Sequence, residues 1–308
     1  MTEMGTALRS PGSWSTKLRT VLLITSVVGL LTASGLFVSA CSRSSPRSSA
    51  MIHLARAVSL TQSAGTALTT VSLHMLSARV GPVSGKATGV VDFADHDGRM
   101  ELYGFGLPER SGTAVVFTNS AIYMKLPQYA RLKGQGSKPW LGLLLSDLNA
   151  VSTAQAGFVF QAETVNAVYL LDAISRGAVA FNKAPARGNS APYQGTVNLA
   201  TAQRYSSGLD AMVLSQQETF TGVETAPLYV WLDSRGRIAK FQMILDPSQS
   251  SGGSHLSGKV TITVSLREFG VPSQVVAPPT GEVANLDVIL ENLSGGEMGE
   301  PPGETPGQ

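Results

Sequence analysis

The strongest constraint on the fold of this chain is a series of short segments in which apolar and polar residues alternate. In the clearest of them, Gly258 to Leu266, apolar side chains alternate with lysine, threonine and serine. Because successive side chains of a β-strand point to opposite faces, each segment predicts a strand with one buried face and one face in water. Most neighbouring segments are separated by only a few residues, so the strands are expected to pair antiparallel through hairpins.

These segments fall into two groups along the chain. The first group comprises Thr69 to Val80, Lys86 to Phe93, Arg99 to Phe105, Thr113 to Phe117 and Ala121 to Leu126. The second group comprises Tyr193 to Ala200, Leu228 to Leu232, Arg237 to Leu245 and Gly258 to Leu266. Turns that contain glycine, such as the one that ends at Gly98, join neighbouring strands. The sequence therefore predicts two antiparallel meanders.

Helical periodicity occurs before the first meander and between the two. The segments Ala50 to Ala64, Glu163 to Ile174 and Thr201 to Ser207 carry apolar residues at the spacing of one helix face. The segment Pro139 to Asp147 is apolar nearly all round, which predicts a buried helix. Together with the strands, these segments predict an α+β protein in which helices cover one face of an antiparallel sheet.

A long apolar segment near the N-terminus leads to the only cysteine, Cys41. Basic residues up to Arg19 precede the uncharged run Val21 to Val38, as in a signal peptide, although the run approaches the ~18 residues that can span a membrane. The four residues Val38-Ser39-Ala40-Cys41 resemble the bacterial lipobox, in which an aliphatic residue and two small ones precede a cysteine whose thiolate accepts a diacylglyceryl group. The alternative is a buried free cysteine at the end of an ordinary anchor helix.

A lipidated Cys41 would hold the mature chain on the outer face of the cell membrane, because two acyl chains bind a bilayer firmly whereas one binds only marginally. We expect a signal peptide over residues 1–40, a flexible tether over 41–49, a single domain over 50–281 and an acidic tail rich in glycine and proline over 282–308. The patch Val283 to Leu293 predicts one short helix within that tail. With no second cysteine, the exported domain must rely on its core for stability.

Charge separates the expected domain from its tail. The whole chain has a net charge of +2, which the basic signal peptide accounts for, so the mature chain is neutral. From Glu282 onward there are six acidic residues and no lysine or arginine, which leaves +6 on residues 41–281. Such a mildly basic body is drawn towards anionic lipid headgroups. The basic residues are too sparse, and aromatic residues at 6% too few, to indicate nucleic-acid binding.

Residue types that carry out catalysis or bind metals are scarce. There are four histidines, and none has a partner at metal-ligand spacing. The triplet Asp95-His96-Asp97 is the one local cluster that could hold a cation, but such triplets are typical of turns. The segment Gly134 to Lys138 lacks the full spacing of a phosphate-binding loop, and neither a nucleophile elbow nor a catalytic triad can be recognised. We therefore expect no catalytic residue, no metal site and no cofactor.

The apolar faces of the sheet and the helices must be buried against each other. They form either an ordinary filled core or a surface that leaves a cavity large enough for a lipid. Methionines add adaptable side chains to this face and would suit a cavity. They are Met75, Met100, Met124, Met212 and Met243. The residues alone leave both possibilities open.

Two segments of the second meander resemble the mycobacterial and actinobacterial LppX/LprA/LprF/LprG lipoproteins. Val230 to Ile238 matches the V-W-[LI]-[DE]-x-x-G-x-[IL] hairpin of that family, and Phe269 to Pro278 matches its [FW]-G-x-P-x-x-[VI]-x-x-P run. The lipobox and the serine-rich tether are also similar, whereas Phe158 to Ala200 departs from the pattern. The resemblance implies a curved antiparallel half-barrel with helices on its concave face enclosing an apolar cavity. It also implies a monomeric carrier that binds acylated lipids or glycolipids and carries them across the cell envelope.

On that interpretation, the wall of the cavity consists of the buried face of the first meander and of the helices opposite it. The strand residues are Val71, Leu73, Met75, Val91, Phe93, Met100, Leu102, Val116, Ile122 and Met124. The helical residues are Leu141, Leu144, Leu145, Val168 and Leu171. A shift of one residue in any strand would reverse its face.

Two other classes of function stay open. A lipoprotein with a filled core and no lipid cargo could be an interaction or sensory module for a membrane protein such as a kinase or a transporter. An enzyme of the cell envelope would need a catalytic histidine or aspartate.

Overall fold

The alternating segments form a single sheet of 12 strands in a computed structural model of the chain. The structure describes residues 49–77, 81–104, 112–126, 138–144, 165–184, 192–206, 211, 213–215, 218, 221–247 and 258–285. The expected signal peptide, Cys41 and most of the expected tether and tail lie outside the described residues.

The strands form two groups, as the sequence predicts. The first group is β1 (Thr66–Ser77), β2 (Gly81–Asp92), β3 (Asp97–Gly104), β4 (Thr113–Phe117), β5 (Ala121–Lys125) and β6 (Trp140–Leu144). The second group is β7 (Ala178–Lys183), β8 (Tyr193–Asn198), β9 (Thr225–Leu232), β10 (Ile238–Leu245), β11 (Gly258–Arg267) and β12 (Val283–Asn285). Consecutive strands from β1 to β6 and from β7 to β11 pair antiparallel.

The two meanders become one sheet because β1 pairs antiparallel with β11, from Leu68 opposite Arg267 to Ser77 opposite Gly258. The strand order is β12-β6-β5-β4-β3-β2-β1-β11-β10-β9-β8-β7. The end strand β12 pairs parallel with β6, the single exception to the antiparallel pattern among the described strands. Since β12 and β7 end this order without pairing to each other, the described sheet is open rather than a closed barrel.

Three α-helices of the described chain have both ends defined: α1 (Ser49–Gln62), α2 (Ala167–Gly177) and α3 (Leu199–Tyr205). Asparagine side chains cap two of them. The side chain of Asn166 accepts hydrogen bonds from the backbone N–H groups of Val168 and Tyr169, and that of Asn198 accepts one from Thr201. These bonds satisfy N–H groups that the first turn of a helix leaves without an internal partner, and so fix where α2 and α3 begin.

The sheet curves around its helices. At ~1.5 Å per residue, α2 is only about 16 Å long, yet it contacts both β2 and β7. Those two strands are six positions apart in the sheet, a distance of about 29 Å at ~4.8 Å per strand if the sheet were flat. That a helix this short contacts both strands agrees with a sheet that bends towards it, so that the helix side is concave.

Glycine allows two strands to approach closely within this curve. A Cβ atom at Gly89 in β2 would lie 1.9 Å from the backbone carbonyl oxygen of Arg99 in β3. Glycine within a strand is typical of sites where another backbone comes very near. The β2–β3 contact therefore depends on the missing side chain.

The core is one continuous cluster of buried apolar side chains on the concave side, and its described members run from Leu54 to Ala284. Every strand from β1 to β12 contributes at least one side chain to it, and so do all three helices. A smaller cluster of Ala114, Val116 and Trp140 lies on the opposite face of the sheet. The fold is therefore α+β, with a large open antiparallel-rich sheet and few helices.

Two predicted helices are wrong in the part that the structure describes. Within Pro139 to Asp147, the residues Trp140–Leu144 form strand β6, which pairs with β5. A short apolar run has the same composition in a buried strand and in a buried helix, so periodicity alone cannot separate them. Within Val283 to Leu293, the residues Val283–Asn285 form strand β12 and extend the sheet past residue 281.

Strand β7, which follows α2 without a loop, carries no clear strand signal in the sequence. Its residues Ala178–Lys183 do not alternate cleanly, because the pairing with β8 shifts between Val179 and Asn182. Ala180 lies in this irregular stretch with φ of 52°. An interrupted register of this kind removes the period-two signal by which strands are recognised.

Candidate functional site

Most of the predicted wall residues lie together on the concave side of the sheet. Val71, Val91, Met100 and Leu171 are completely buried in the main cluster. Those with almost no exposure in the same cluster are Leu73, Phe93, Leu102, Ile122, Met124, Leu141 and Val168. Met75 is half-buried and packs against them.

Two predicted wall residues lie elsewhere. Val116 belongs to the small cluster on the opposite face of the sheet. All residues of β4 are buried, so its sequence does not reveal which side faces the main core. Leu144 is exposed, because Leu141 and Leu144 share a face in a helix but lie on opposite faces in a strand. Leu145 and Cys41 lie outside the described residues.

The second meander contributes as much to the wall as the first, although the sequence analysis drew its strand residues from the first alone. Phe241 and Met243 of β10 and Ile262 and Val264 of β11 are completely buried in the main cluster. The same alternation that marked β1 and β2 is present in β11, so the signal was available. The apolar wall extends over the whole width of the described sheet.

The described wall is packed. Side chains such as Val71 and Met100 have no exposed surface at all, so no space large enough for a water molecule lies against them. Part of the space is filled by α2, in which every residue from Ala167 to Ile174 is buried. A helix with eight consecutive buried residues is covered on all its sides.

A polar cluster lies among these apolar surfaces. The buried carboxylate of Asp172 in α2 accepts a hydrogen bond of 2.8 Å from Nε2 of Gln62, the last residue of α1. Its other oxygen is 3.6 Å from Nδ1 of His96, in the turn between β2 and β3. The Asp172 cluster of these three residues therefore joins α1, α2 and one hairpin of the sheet.

The acidic residues around His96 stabilise turns. Oδ1 of Asp92 accepts hydrogen bonds from the N–H groups of Ala94 and Asp95, and Oδ1 of Asp97 accepts one from Asn119. Burial, followed by repulsion from Asp95 and Asp92, raises the pKa of Asp97 above its ordinary value. In the described part of the chain, no three histidine, cysteine or acidic side chains are close enough together to hold a metal ion.

The hairpin that resembles the lipoprotein family has a framework role. The Asp233 carboxylate accepts hydrogen bonds from the backbone N–H groups of Arg235 and Arg237 and from the Arg237 guanidinium. That guanidinium lies 3.9 Å from the centre of the Phe269 ring. Burial alone would raise the pKa of Asp233, but the hydrogen bonds from Arg237 and Arg235 lower it below its ordinary value. The two matched motifs thus contact each other and secure the β9–β10 turn to the end of β11.

One histidine pairs with a serine on the outer face of the sheet. Nδ1 of His74 lies 2.9 Å from Oγ of Ser84, directly across the β1–β2 pair. The described residues provide His74 with no carboxylate that would orient its ring, as a catalytic triad requires. We interpret the contact as an exposed cross-strand hydrogen bond.

A small apolar cleft lies outside the main core, next to strands β5, β6 and β12. It has a volume of about 210 Å³ and is lined by Tyr123, Gly142, Leu144, Pro278, Thr280 and Val283. This volume is below the ~300–1,000 Å³ of typical ligand pockets. The cleft is therefore too small for a whole lipid. Separately, none of the helices in the described residues has the length and apolar character needed to cross a membrane.

The fold and its wall define a class of protein: an α+β domain whose open, curved antiparallel sheet presents one continuous apolar face to its helices. Solved structures of similar fold include the lipoprotein LppX of Mycobacterium tuberculosis, at 12% identity and a TM-score of 0.39, covering 72% of this chain and 98% of that one. A LolA-superfamily protein of Nitrosomonas europaea is similar at 12% identity and a TM-score of 0.30, covering 72% of this chain and 94% of that one.

The complex of MucA and MucB from Pseudomonas aeruginosa contains a further similar chain, at 10% identity and a TM-score of 0.25. This match covers 75% of the present chain and 59% of that one. No family model and no curated protein matches the sequence.

Proposed function

We propose that this chain is a membrane-anchored lipoprotein of the LppX/LprA/LprF/LprG type. It binds acylated lipids or glycolipids against the concave face of its sheet and carries them across the cell envelope. The observation that supports the proposal best is the continuous apolar wall, to which every described strand contributes. No catalytic residue is needed, because the cargo moves by burial alone.

The driving force is the transfer of acyl chains out of water. Each buried methylene contributes about 0.8 kcal/mol, so a lipid with long chains crosses an aqueous space only inside a dry surface. A carrier needs an apolar surface that acyl chains can occupy once a covering helix moves away, and the wide concave wall provides one.

Because the described wall is packed, the carrier has a closed form without cargo and an open form with it. Helix α2 is the element whose movement would uncover the wall. When a lipid replaces it, apolar contacts with the helix are exchanged for apolar contacts with acyl chains, so the two forms can be close in free energy. The Asp172 cluster, which joins α2 to α1 and to the β2–β3 turn, would then control this exchange.

The interaction or sensory module without cargo is the second candidate. The completely buried wall residues favour it, because a filled core needs no ligand. It differs from the carrier in one measurable respect: its interior stays closed to lipid under every condition in which the protein is folded.

The proposed site of membrane anchoring is Cys41. A diacylglyceryl group on its sulfur would place the mature chain at the cell membrane, facing the periplasm or the outer envelope. Cys41→Ser should release the protein from the membrane fraction. Mass spectrometry of the wild-type N-terminal peptide should show the added lipid mass. An unmodified Cys41 in a membrane-bound protein would instead indicate an uncleaved anchor helix.

Binding of cargo is tested with the mature chain carrying Cys41→Ser, which contains every described core residue. The probe is a fatty acid with a fluorescent dansyl group, whose emission rises in a dry site. Saturable binding near one probe per chain supports the carrier. Absence of saturable binding, while the protein unfolds cooperatively and is therefore folded, supports the interaction module.

A further inference from the structure

We propose that one edge of the protein, formed by α1, β7 and α3, docks on the surface of an anionic lipid bilayer. The docking edge consists of the basic residues Arg56, Arg176 and Arg204 and the exposed apolar residues Ile52, Val179 and Tyr205. The proposal uses the lipid anchor of the proposed function only for orientation, and it does not depend on lipid cargo.

The three elements lie near one end of the sheet, where α3 contacts β8 and β9. Helix α1 contacts β7, the last strand in the sheet order. The other end of α1 reaches β10, where the backbone N–H of Ile238 donates a hydrogen bond of 2.8 Å to Oγ1 of Thr61. The N-terminal half of α1 is therefore the half that lies at β7.

Helix α3 is joined to the same edge by Arg176, in the last turn of α2. Nη1 of Arg176 donates a hydrogen bond of 3.3 Å to the backbone carbonyl oxygen of Tyr205, the last residue of α3. Strand β7 begins directly after α2, at Ala178. The last turns of α2 and α3 and the first residues of β7 thus form one continuous surface.

The charge of this surface has one sign. In residues 49–62, 165–184 and 192–206, the basic side chains are Arg56, Arg176, Lys183 and Arg204, and the one carboxylate is the buried Asp172. Glu224 adjoins the opposite end of α3, where its carbonyl oxygen accepts a hydrogen bond from the N–H of Leu199. Burial, followed by repulsion from the nearby Glu224, raises the pKa of Glu218 above its ordinary value. A surface on which these described residues expose basic side chains and no carboxylate is attracted to anionic headgroups.

Exposed apolar side chains accompany these charges. Ile52 is 59% exposed and Tyr205 is 68% exposed, and Val179 of β7 is exposed as well. Apolar side chains beside arginines are the composition with which peripheral proteins enter the boundary between headgroups and acyl chains. Tyrosine suits this boundary because its ring is apolar and its hydroxyl is polar.

The chain that leads from Cys41 arrives at this edge. Helix α1 begins at Ser49, eight residues after Cys41. At no more than ~3.6 Å per residue, the connecting segment spans at most about 29 Å. An anchored Cys41 therefore keeps the N-terminal half of α1, and with it the docking edge, close to the bilayer.

The test measures binding of the mature Cys41→Ser chain to vesicles, so that no lipid anchor contributes. Vesicles contain either phosphatidylcholine alone or about 30 mol % phosphatidylglycerol, and binding is measured by co-sedimentation. We expect binding to the anionic vesicles only, and loss of binding at about 0.5 M salt. The double variant Arg56→Gln/Arg204→Gln should bind about 25-fold more weakly, at roughly five-fold for each charge.

Matched controls remove the same charge or the same exposed apolar surface elsewhere. Arg99→Gln/Arg235→Gln lowers the net charge equally but should change binding far less. Ile52→Ser/Tyr205→Ser should weaken binding, whereas Leu76→Ser/Val276→Ser, at 64% and 68% exposure, should not.

Equal losses in edge and control variants, or no binding to anionic vesicles, would overturn the proposal. Binding to immobilised polyglutamate but not to vesicles would assign the edge to an acidic protein and would overturn it too. Cargo binding is measured separately with the dansyl fatty acid and is unaffected by any of these outcomes.

Discussion

The side-chain amide of Gln62 donates a hydrogen bond of 2.8 Å to Oδ1 of Asp172, across 110 residues of sequence. This bond joins the end of α1 to the middle of α2, inside a region that is otherwise almost entirely apolar. A hydrogen bond to a buried carboxylate is worth more than an average one, and its loss leaves a charged group without part of its solvation. Unlike the apolar contacts around it, this hydrogen bond is directional. It can therefore hold α2 in one position against the wall.

The first prediction concerns the hydrogen bond between Gln62 and Asp172. Asp172→Asn keeps an acceptor oxygen for Gln62 but replaces a charge-assisted hydrogen bond with a neutral one, so the free energy of unfolding should fall by about 1–2 kcal/mol. If α2 is the element that uncovers the wall, the dansyl fatty acid should also enter faster, as measured by stopped-flow fluorescence. Asp246→Asn is the matched control. Its carboxylate pairs with Lys259 at 3.1 Å near the surface, where an ion pair contributes at most about 1 kcal/mol. Uptake that is unchanged or slower in Asp172→Asn would exclude a controlling role of the cluster.

The second prediction concerns the close approach of β2 and β3. Gly89→Ala places a Cβ atom against the backbone oxygen of Arg99, which cannot move without shifting the strand, so the variant should be strongly destabilised or fail to fold. Gly281→Ala is the control, because nothing lies within 4 Å of the added atom there. Urea unfolding of both variants provides the comparison. Equal stability of the two would mean that β2 and β3 do not approach as described.

The third prediction uses the acid dependence of stability. The pKa of Asp233 is below its ordinary value of 3.8. Between that value and the lower pKa of the folded state, the unfolded chain binds more protons. The stabilisation from Asp233 is thus present above pH 3.8 and is lost as the pH falls through the folded pKa. Asp233→Asn should be less stable than wild type at neutral pH, and the difference should shrink from about pH 5 to about pH 2.5 in urea titrations. A constant difference over that range would contradict this role.

The fourth prediction tests which face of β3 is the wall. Leu102→Ala on the concave face should lower the free energy of unfolding by about 2–5 kcal/mol, because it leaves a cavity in a packed core. Tyr103→Ala, on the outer face, should change stability by less than about 1 kcal/mol. Dansyl fatty acid should stabilise Leu102→Ala more than Tyr103→Ala, because an acyl chain can occupy the new space in addition to the wall. If the acid stabilised both variants equally, the new space would not be part of the surface that binds it.

The sheet could be predicted largely from the sequence, because an alternating strand carries its own signal. Strand β11 is predicted as Gly258 to Leu266 and observed as Gly258–Arg267. Helix α3 begins two residues before its predicted start, at Leu199, since Asn198 caps it. The α+β class and the antiparallel pairing of neighbouring strands follow from many such local signals that agree, whereas the curved half-barrel is implied only by the family resemblance.

Other features depend on contacts that no local pattern reveals. Strand β6 looks like a buried helix until its pairing with β5 is known, and Leu144 changes face with it. The Asp172 cluster combines residues from α1, α2 and the β2–β3 turn, so neither Gln62 nor His96 carries a signal of its role. The packing of the wall, which decides between a filled core and a carrier, is also a property of the folded chain and not of any segment.

The most direct test of the central claim is native mass spectrometry of the mature Cys41→Ser chain, purified without detergent from a bacterial envelope fraction. The concave wall is predicted to retain about one acylated lipid per chain, seen as an added mass that organic solvent removes. Leu102→Ala should alter the amount retained and Tyr103→Ala should not. A folded protein that carries no lipid, and that takes none up from vesicles of its host's lipids, would contradict the claim.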